Sequence, residues 1–365
     1  MSLLCVLSKV LEKIVHDQVI DYINEHSILN PHQSGFKRGH STCTALLAVS
    51  NDLGKAMDDR LLTILVLYDF SNAFPSVNHD LLLSKLKWYG FSQSVISWFR
   101  SYLTNRSQKV FLNGEVSSLM TLLFGVPQGS ILGPLLFSLY INDIYKLFTK
   151  SKSHLYADDL QNYVSFSYDT INLAVENINN EARALNHYAI GHNLMINPVK
   201  TQAIIIGNPK IRSKLAQSIP PIIVNDVIIP YSVQVVNLGV TFDANLTWEP
   251  HIVSKCKKAR GALSRLRKHR ELLPINVRLR LVQSLVLPIL DYCCTVFYDM
   301  SAHNALEVQR IQNQGIRFVY GLPKFCHITE HIVNIKWLTM ANRRKLFFTS
   351  QPVQDFEKCH TYLLI

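Results

Sequence analysis

The chain has 365 residues, 48% of them hydrophobic and 17% charged, with a formal net charge of +11. That balance excludes a disordered polypeptide and gives enough length for roughly two or three compact units with a real core. No apolar run approaches the roughly 18–20 residues of a membrane span, and the opening Met1-Ser2-Leu3-Leu4-Cys5-Val6-Leu7 is soon broken by Lys9, Glu12 and Lys13, unlike a secretory signal.

Apolar positions at Val6, Leu7, Val10, Leu11, Ile14, Val15, Val19, Ile20 and Ile23 predict an amphipathic helix over 3–26. Turn formers across 30–39 predict a loop. A helix over about 41–58 and an apolar strand over 61–68 follow, and the strand delivers Asp69. Next come helices over 79–89 and 93–103, a hairpin across 107–123, and a loop at 125–130 that opens an apolar helix over 131–147. Two short apolar runs flank Tyr156-Ala157-Asp158-Asp159 and read as a β-hairpin with its acids at the turn. A helix over 170–192, a strand over 203–206 and short strands across 221–242 come after it. From 249 onward the pattern is helical and basic, with helices over 249–269, 275–290, 302–319 and 336–348. There is no internal repeat. Helices, then a mixed region, then an all-helical segment make an α+β fold.

Charge and cysteine usage sharpen this reading. Residues 250–350 hold 17 Lys and Arg against 5 Asp and Glu, an excess of +12 that leaves the rest of the chain near neutral. A basic segment beside an acidic site suits a polyanion that one part holds and another processes, although basic helices can also serve solubility alone. The cysteines, Cys5, Cys43, Cys256, Cys293, Cys294, Cys326 and Cys359, are odd in number and nowhere spaced as C-x-x-C. Neither a disulfide framework nor a zinc site is expected, and a reducing intracellular setting, nucleus or cytoplasm, fits best.

The chemistry centres on carboxylates. Adjacent Asp158 and Asp159 repel each other unless a cation neutralises them. If the strand before Asp69 lies beside the hairpin, three carboxylates converge and can hold two divalent metals, the layout of nucleotidyl transfer. On its own, an Asp-Asp pair in a turn is commonly just a solvated turn.

Several blocks in order make the pattern specific. They are Gln33-Ser34-Gly35-Phe36-Lys37-Arg38-Gly39-His40-Ser41-Thr42, Asp69-Phe70-Ser71-Asn72-Ala73-Phe74-Pro75-Ser76-Val77-Asn78-His79, Gly125-Val126-Pro127-Gln128-Gly129-Ser130-Ile131-Leu132-Gly133-Pro134 and Tyr156-Ala157-Asp158-Asp159. Together they resemble the successive motifs of a reverse transcriptase of the non-LTR (LINE-type, jockey-like) retrotransposons. Asn197-Pro198-Val199-Lys200-Thr201 and Leu238-Gly239-Val240 are similar to that family's next two motifs.

The resemblance covers roughly residues 1–245 and implies a right-hand polymerase. Residues 1–60 match partial fingers, 61–245 a palm with the primer grip, and 246–350 a basic helical thumb or connection; the tail 351–365 is unassigned. It implies an RNA-directed DNA polymerase that uses two Mg²⁺, with Mn²⁺ as a substitute, and that works with an RNA template, a DNA primer and dNTP. Asp69 and Asp158 match the main metal ligands, with Asp159 a more peripheral third acid. Phe74 matches the steric gate that favours dNTP over rNTP, and Gln128 with Gly129 matches the residues packed against the incoming nucleotide. Lys37 and Arg38 match triphosphate-neutralising cations, and Lys200 the general acid toward pyrophosphate, while plain surface cations remain the alternative for all three.

Departures from the family pattern stand at Tyr68, Asn72 and Pro75, the last at a helix start where it could shift Phe74. The first fingers motif is missing, so an amino-terminally truncated copy is expected. The rival readings are an inactive or co-opted nucleic-acid-binding relic of such an element and an intron-type reverse transcriptase with maturase function.

Overall fold

The computed structural model describes residues 4–215 and 219–350, so the expected tail at 351–365 lies outside the described residues. The chain divides into two compact units. The first comprises the residues up to Ser41, Leu61–Ile205 and Lys210–Ser232. The second comprises Thr42–Arg60, Ile206–Pro209 and the chain from Val233 on.

The first unit is built on a five-stranded sheet. In chain order its strands are β1 (Leu62–Tyr68), β2 (Lys152–Tyr156), β3 (Asp159–Phe166), β4 (Gln202–Ile206) and β5 (Tyr231–Ser232), arranged spatially as β5-β4-β1-β3-β2. The Leu-Thr-Ile-Leu-Val-Leu-Tyr run of β1 is buried at six of its seven positions, which is why an uninterrupted apolar run takes the central place. It pairs antiparallel with β3 from Leu62 opposite Phe166 to Tyr68 opposite Leu160. β2 closes a tight hairpin onto β3, and β5 runs parallel to β4.

Helices cover the sheet. The helix Ile171–Gly191 packs on β3 with Ala174, Val175, Ile178, Ala182, Leu185 and Ala189, a buried stripe at steps of three and four. The helix Leu132–Tyr140 carries apolar residues all round and is accordingly sunk in the core, with Phe137, Leu139 and Tyr140 fully covered. It ends earlier than the expected 131–147 because the next polar residues have tertiary partners. Asn142 accepts from the Asn30 amide at 2.7 Å and donates to the Ile28 carbonyl at 2.8 Å. Asp143 takes Lys85, and a short 3₁₀ turn, Ile144–Leu147, finishes the segment.

The first helix, Val6–Glu25, is oriented differently from what its pattern suggests. Val6, Leu7, Val10 and Leu11 are exposed, whereas Glu12 is buried. The expected hairpin at 107–123 forms as two ladders, Arg106–Gln108 with Met120–Leu122 and Phe111–Leu112 with Glu115–Val116.

The second unit is mostly helical. Leu46, Val49 and Leu53 of the helix Thr42–Asp58 are buried at helical spacing. In the helix Glu249–Arg267, Ile252, Cys256, Ala259 and Leu263 form the buried face. Asp243 organises the turn that leads into that helix, accepting from the Trp248 amide at 2.9 Å and the Thr247 amide at 3.1 Å. The expected helix at 275–290 is split into Ile275–Leu285 and Leu287–Asp291, because Pro288 disfavours helical geometry before it and supplies no amide to bond back. The expected helix at 336–348 begins only at Met340, capped by Thr339, and a separate helix, Thr329–Ile335, precedes it. Among the described residues no helix is long and apolar enough to cross a membrane.

One half-buried polar network ties the helices of the first unit together. Lys85 Nζ donates to Asp143 at 2.5 Å, to the Tyr140 carbonyl at 2.7 Å and to the Tyr188 hydroxyl at 3.2 Å, while that hydroxyl donates to Asp143 at 2.6 Å. Burial lowers the Lys85 pKa, and the Asp143 carboxylate opposes that shift. Asp143 is about a third exposed, so Lys85→Ala is expected to lower stability by about 1–2 kcal/mol, read as a fall in the urea midpoint. A Lys85→Met/Asp143→Leu pair should recover much of that loss.

Candidate active site

The site forms at the turn between β2 and β3. Their pairing runs down to Tyr156 opposite Asp159, which leaves Ala157 and Asp158 as a two-residue turn. Ala157 sits at φ 58°, the left-handed region that the first central position of a II′ turn requires and that a residue with a Cβ resists. A second loop holds it there. The Gln33 side chain accepts from the Ala157 amide at 3.2 Å and from the Gly35 amide at 2.8 Å. The Ser34 amide donates to the Leu155 carbonyl, and the Leu155 amide to the His32 carbonyl, both at 2.9 Å. Ser34 Oγ also lies 2.9 Å from His154 Nε2. At Gly35 a Cβ would stand 2.1 Å from the Ala157 nitrogen, so only glycine permits this approach. The Gln33-Ser34-Gly35 block is thus the brace of the acidic turn. In the sequence it was visible as a motif but carried no role.

The register of β1 against β3 supplies the third acid. Tyr68 lies opposite Leu160, so the next residue, Asp69, arrives abreast of Asp159. The Asp69 carbonyl accepts from the Asn197 amide at 2.8 Å. The Asn197 side chain in turn accepts from the amides of Val199 and Lys200, at 3.1 and 3.3 Å. This Asx turn carries Lys200 Nζ to 3.6 Å from Asp69 Oδ2.

Electrostatics set Asp158 and Asp159 apart from ordinary carboxylates. Asp69 Oδ2 is sealed from solvent and has no hydrogen-bond partner. Burial raises the Asp158 pKa, and the Asp69 charge raises it further. Asp159 is exposed as a residue, yet the protein close to its carboxyl, followed by the charges of Asp158 and Asp69, pushes it up to about 6. Among the described residues no group of three or more His, Cys, Asp or Glu side chains is already drawn together as a chelate. Hard oxygen donors, a buried Asp69 oxygen with no hydrogen bond and only a 3.6 Å ion pair, and raised pKa values at Asp158 and Asp159 fit a divalent ion of the Mg²⁺ type, held by Asp69, Asp158 and Asp159.

Two further loops stand against this frame. Phe74 opens a 3₁₀ turn, Phe74–Ser76. Its ring stacks on Phe137 with centroids 4.5 Å apart and meets Phe36 edge-on at 6.2 Å. The Phe74 carbonyl accepts from Val126 at 3.1 Å, and the Val77 carbonyl from Gly125 at 2.7 Å, which zips this turn to the 125–130 loop. Gly125 is fitted to Pro75, since a Cβ there would lie 2.6 Å from the Pro75 carbonyl oxygen. Pro75 therefore sits in a complementary seat, with Phe74 fixed beside it.

Gln128 and Gly129 are exposed at the tip of that loop. Beneath them, buried Glu12 accepts from the Ile131 amide at 2.6 Å and caps the helix Leu132–Tyr140 from a different helix. Sequence reasoning missed Glu12, because a charge among apolar positions reads as the solvent face. Lys37 is half-buried and Arg38 exposed, and among the described residues neither contacts the three carboxylates. Leu238 and Gly239, at φ 44° and 78°, form a two-residue turn in the second unit. Tyr292 steadies that turn by donating to the Leu238 carbonyl at 2.8 Å.

The family profile described as reverse transcriptase (RNA-dependent DNA polymerase) matches residues 1–242. The chain belongs to the reverse transcriptase family. Among its relatives, the probable RNA-directed DNA polymerase from transposon BS of Drosophila melanogaster is 29% identical over 89% of this chain and 36% of its own length. The RNA-directed DNA polymerase from mobile element jockey of the same fly is 26% identical over 88% of this chain and 35% of its own length. The chain therefore spans about a third of the length of the curated relatives it matches. These are non-LTR, LINE-type elements, the group that the motifs resemble. A telomerase of Candida tropicalis, solved with a TWJ fragment of telomeric RNA, aligns over 98% of this chain and 55% of its own, at 12% identity and a TM-score of 0.48.

In this chain, Gly35→Ala must displace the Ala157 amide and is expected to lower stability by about 1–3 kcal/mol. Gly54→Ala, on a helix with open space around it, should be neutral or mildly stabilising. Urea midpoints of the two variants compare them, and equal midpoints would refute the close approach. The Asp159 carboxyl is harder to ionise folded than unfolded, so its contribution to stability is fully present below pH 3.8 and is lost as pH rises through about 6. Asp159→Asn should therefore raise the thermal midpoint above that pH in EDTA and leave it unchanged in acid. Added Mg²⁺ should raise the midpoint of the parent more than that of the variant.

Proposed function

We propose that this chain carries RNA-directed DNA polymerase activity, extending a DNA 3′-hydroxyl on an RNA template with dNTP. The observation that supports it best is the β1–β3 register, which brings Asp69 abreast of the Asp158-Asp159 turn. In this reading residues 61–245 form the palm, 1–60 part of the fingers and 246–350 the thumb or connection. The odd number and scattered spacing of the cysteines favour a reducing compartment, nucleus or cytoplasm.

Asp69 and Asp158 would be the main ligands of two Mg²⁺, or Mn²⁺ in their place, with Asp159 in support. When bound, such ions lower the pKa of the attacking hydroxyl and neutralise charge on the leaving pyrophosphate. The remaining roles fall to the chain's own groups. Phe74, clamped between Phe137 and Phe36, is the rigid surface on which a deoxyribose fits and a 2′-hydroxyl collides. The exposed Gln128-Gly129 tip packs on the incoming nucleotide, with glycine allowing backbone to approach it closely. Lys37 and Arg38 neutralise its triphosphate. Lys200 has an exposed side chain and only a 3.6 Å ion pair, so it is free to swing and deliver a proton to pyrophosphate.

Primer extension on an RNA template with Mg²⁺ and dNTP tests the reading. Incorporation should fall by at least about 100-fold in Asp158→Ala, and Phe74→Ala should gain rNTP incorporation relative to dNTP. An absence of parental incorporation, with salt-sensitive RNA binding retained, would replace the enzyme by a nucleic-acid-binding relic.

A further inference from the structure

The helix Ala302–Tyr320 places Arg310, Asn313, Gln314 and Arg317 at steps of three and four, which puts all four on one face. Arg267, in the last turn of the helix Glu249–Arg267, and Arg270 just beyond it stand across from that face, and the loop carrying Lys324 and Phe325 closes the far side. Together they line a cleft of about 660 Å³ within the second unit, outside the residues matched by the family profile. That volume suits a ligand the size of a nucleotide.

The cleft is strongly cationic. Its one lining acid, Glu271, is engaged by Arg270 at 2.6 Å. Arg310 is paired with Glu307, which Arg260 shares, and Arg267 is exposed. Arg317 donates to the Cys326 carbonyl at 3.1 Å, while its Nε is sealed without a hydrogen-bond partner. The carbonyl end of the Ala302–Tyr320 helix would repel an anion, but Arg278 covers it by donating to the Val319 carbonyl at 3.2 Å.

At the rim, Phe325 is 87% exposed, and Lys324 Nζ stands 5.3 Å from its ring centroid. An aromatic face left in water, flanked by cations and beside amide side chains that can pair with a base edge, is the arrangement that stacks an unpaired base and tracks its phosphates. In a duplex, base faces are covered by their neighbours, so such a ring has no platform to meet.

We propose that this cleft captures an unpaired stretch of RNA, stacking one base on Phe325 and holding adjacent phosphates on Arg267 and Arg310. The choice of RNA rests on the polymerase reading above; the cleft itself does not. Fluorescence anisotropy on the full chain carrying Asp158→Ala tests it with the catalytic step removed. The probe is a labelled RNA of about 12 nucleotides without self-pairing, used alone and annealed to its complement.

Phe325→Ala should weaken single-strand binding by about 5- to 150-fold, with Phe325→Trp restoring it and duplex binding unchanged. Arg267→Ala and Arg310→Ala should each lower the slope of log affinity against log salt by about 0.7. Unchanged single-strand affinity in these variants, or an equal loss on the duplex, would overturn the proposal. Phe325 and Arg267 are exposed, so their truncation leaves the core intact and a null result is informative. A failed polymerase reading would show separately, as absent extension by the parent chain while this binding persists.

Discussion

Antiparallel pairing between Leu62–Tyr68 and the strand that begins at Asp159 does two jobs at once. It builds the centre of the sheet from a run of side chains that water would otherwise have to surround. It also sets, with a period of two residues and no tolerance for slippage, which side chain emerges beside the acidic turn. A slip of one residue would send Asp69 to the opposite face and bury a different edge of β1. The apolar packing on both faces of β1 therefore fixes the spacing of the carboxylates, and through them the chemistry.

Concentrating negative charge at one end of a sheet opposes folding, and the surrounding structure shows how it is tolerated. The strained Ala157 is held by the Gln33 side-chain oxygen, which accepts from its amide, and by the close approach of the bare backbone of Gly35. Lys200 is hung from the Asp69 carbonyl through Asn197, placing one cation beside the acids without closing on them. Each of these contacts joins segments more than a hundred residues apart in sequence. The motif blocks are mutually dependent pieces of one support: the 33–35 loop braces the turn, and Gly125 receives Pro75.

The second unit shows a different use of charge. Five of the seventeen Lys and Arg between residues 250 and 350 line one cleft. Arginines at helical spacing face a cleft with an exposed aromatic ring at its rim. The same helices bury Val308, Ile311, Ile316 and Val319 on their other side, so core packing and the basic face are two aspects of one periodicity.

Much of the plan was legible in the residue order. The strand that ends at Asp69, the hairpin around Asp158-Asp159 and the long helices from Val6 to Tyr320 follow from local periodicity and turn chemistry, which need no partner to be read. Neighbouring segments decided what periodicity could not. The 131–147 helix stopped early because Asn142 and Asp143 found partners on other segments. Glu12 is a helix cap although its surroundings read as surface. Sequence by itself determined which residues can carry charge, bend the chain or enter the core. Only the tertiary structure decided which of them meet, because register, close backbone approach and burial of a single oxygen depend on contacts between distant parts of the chain.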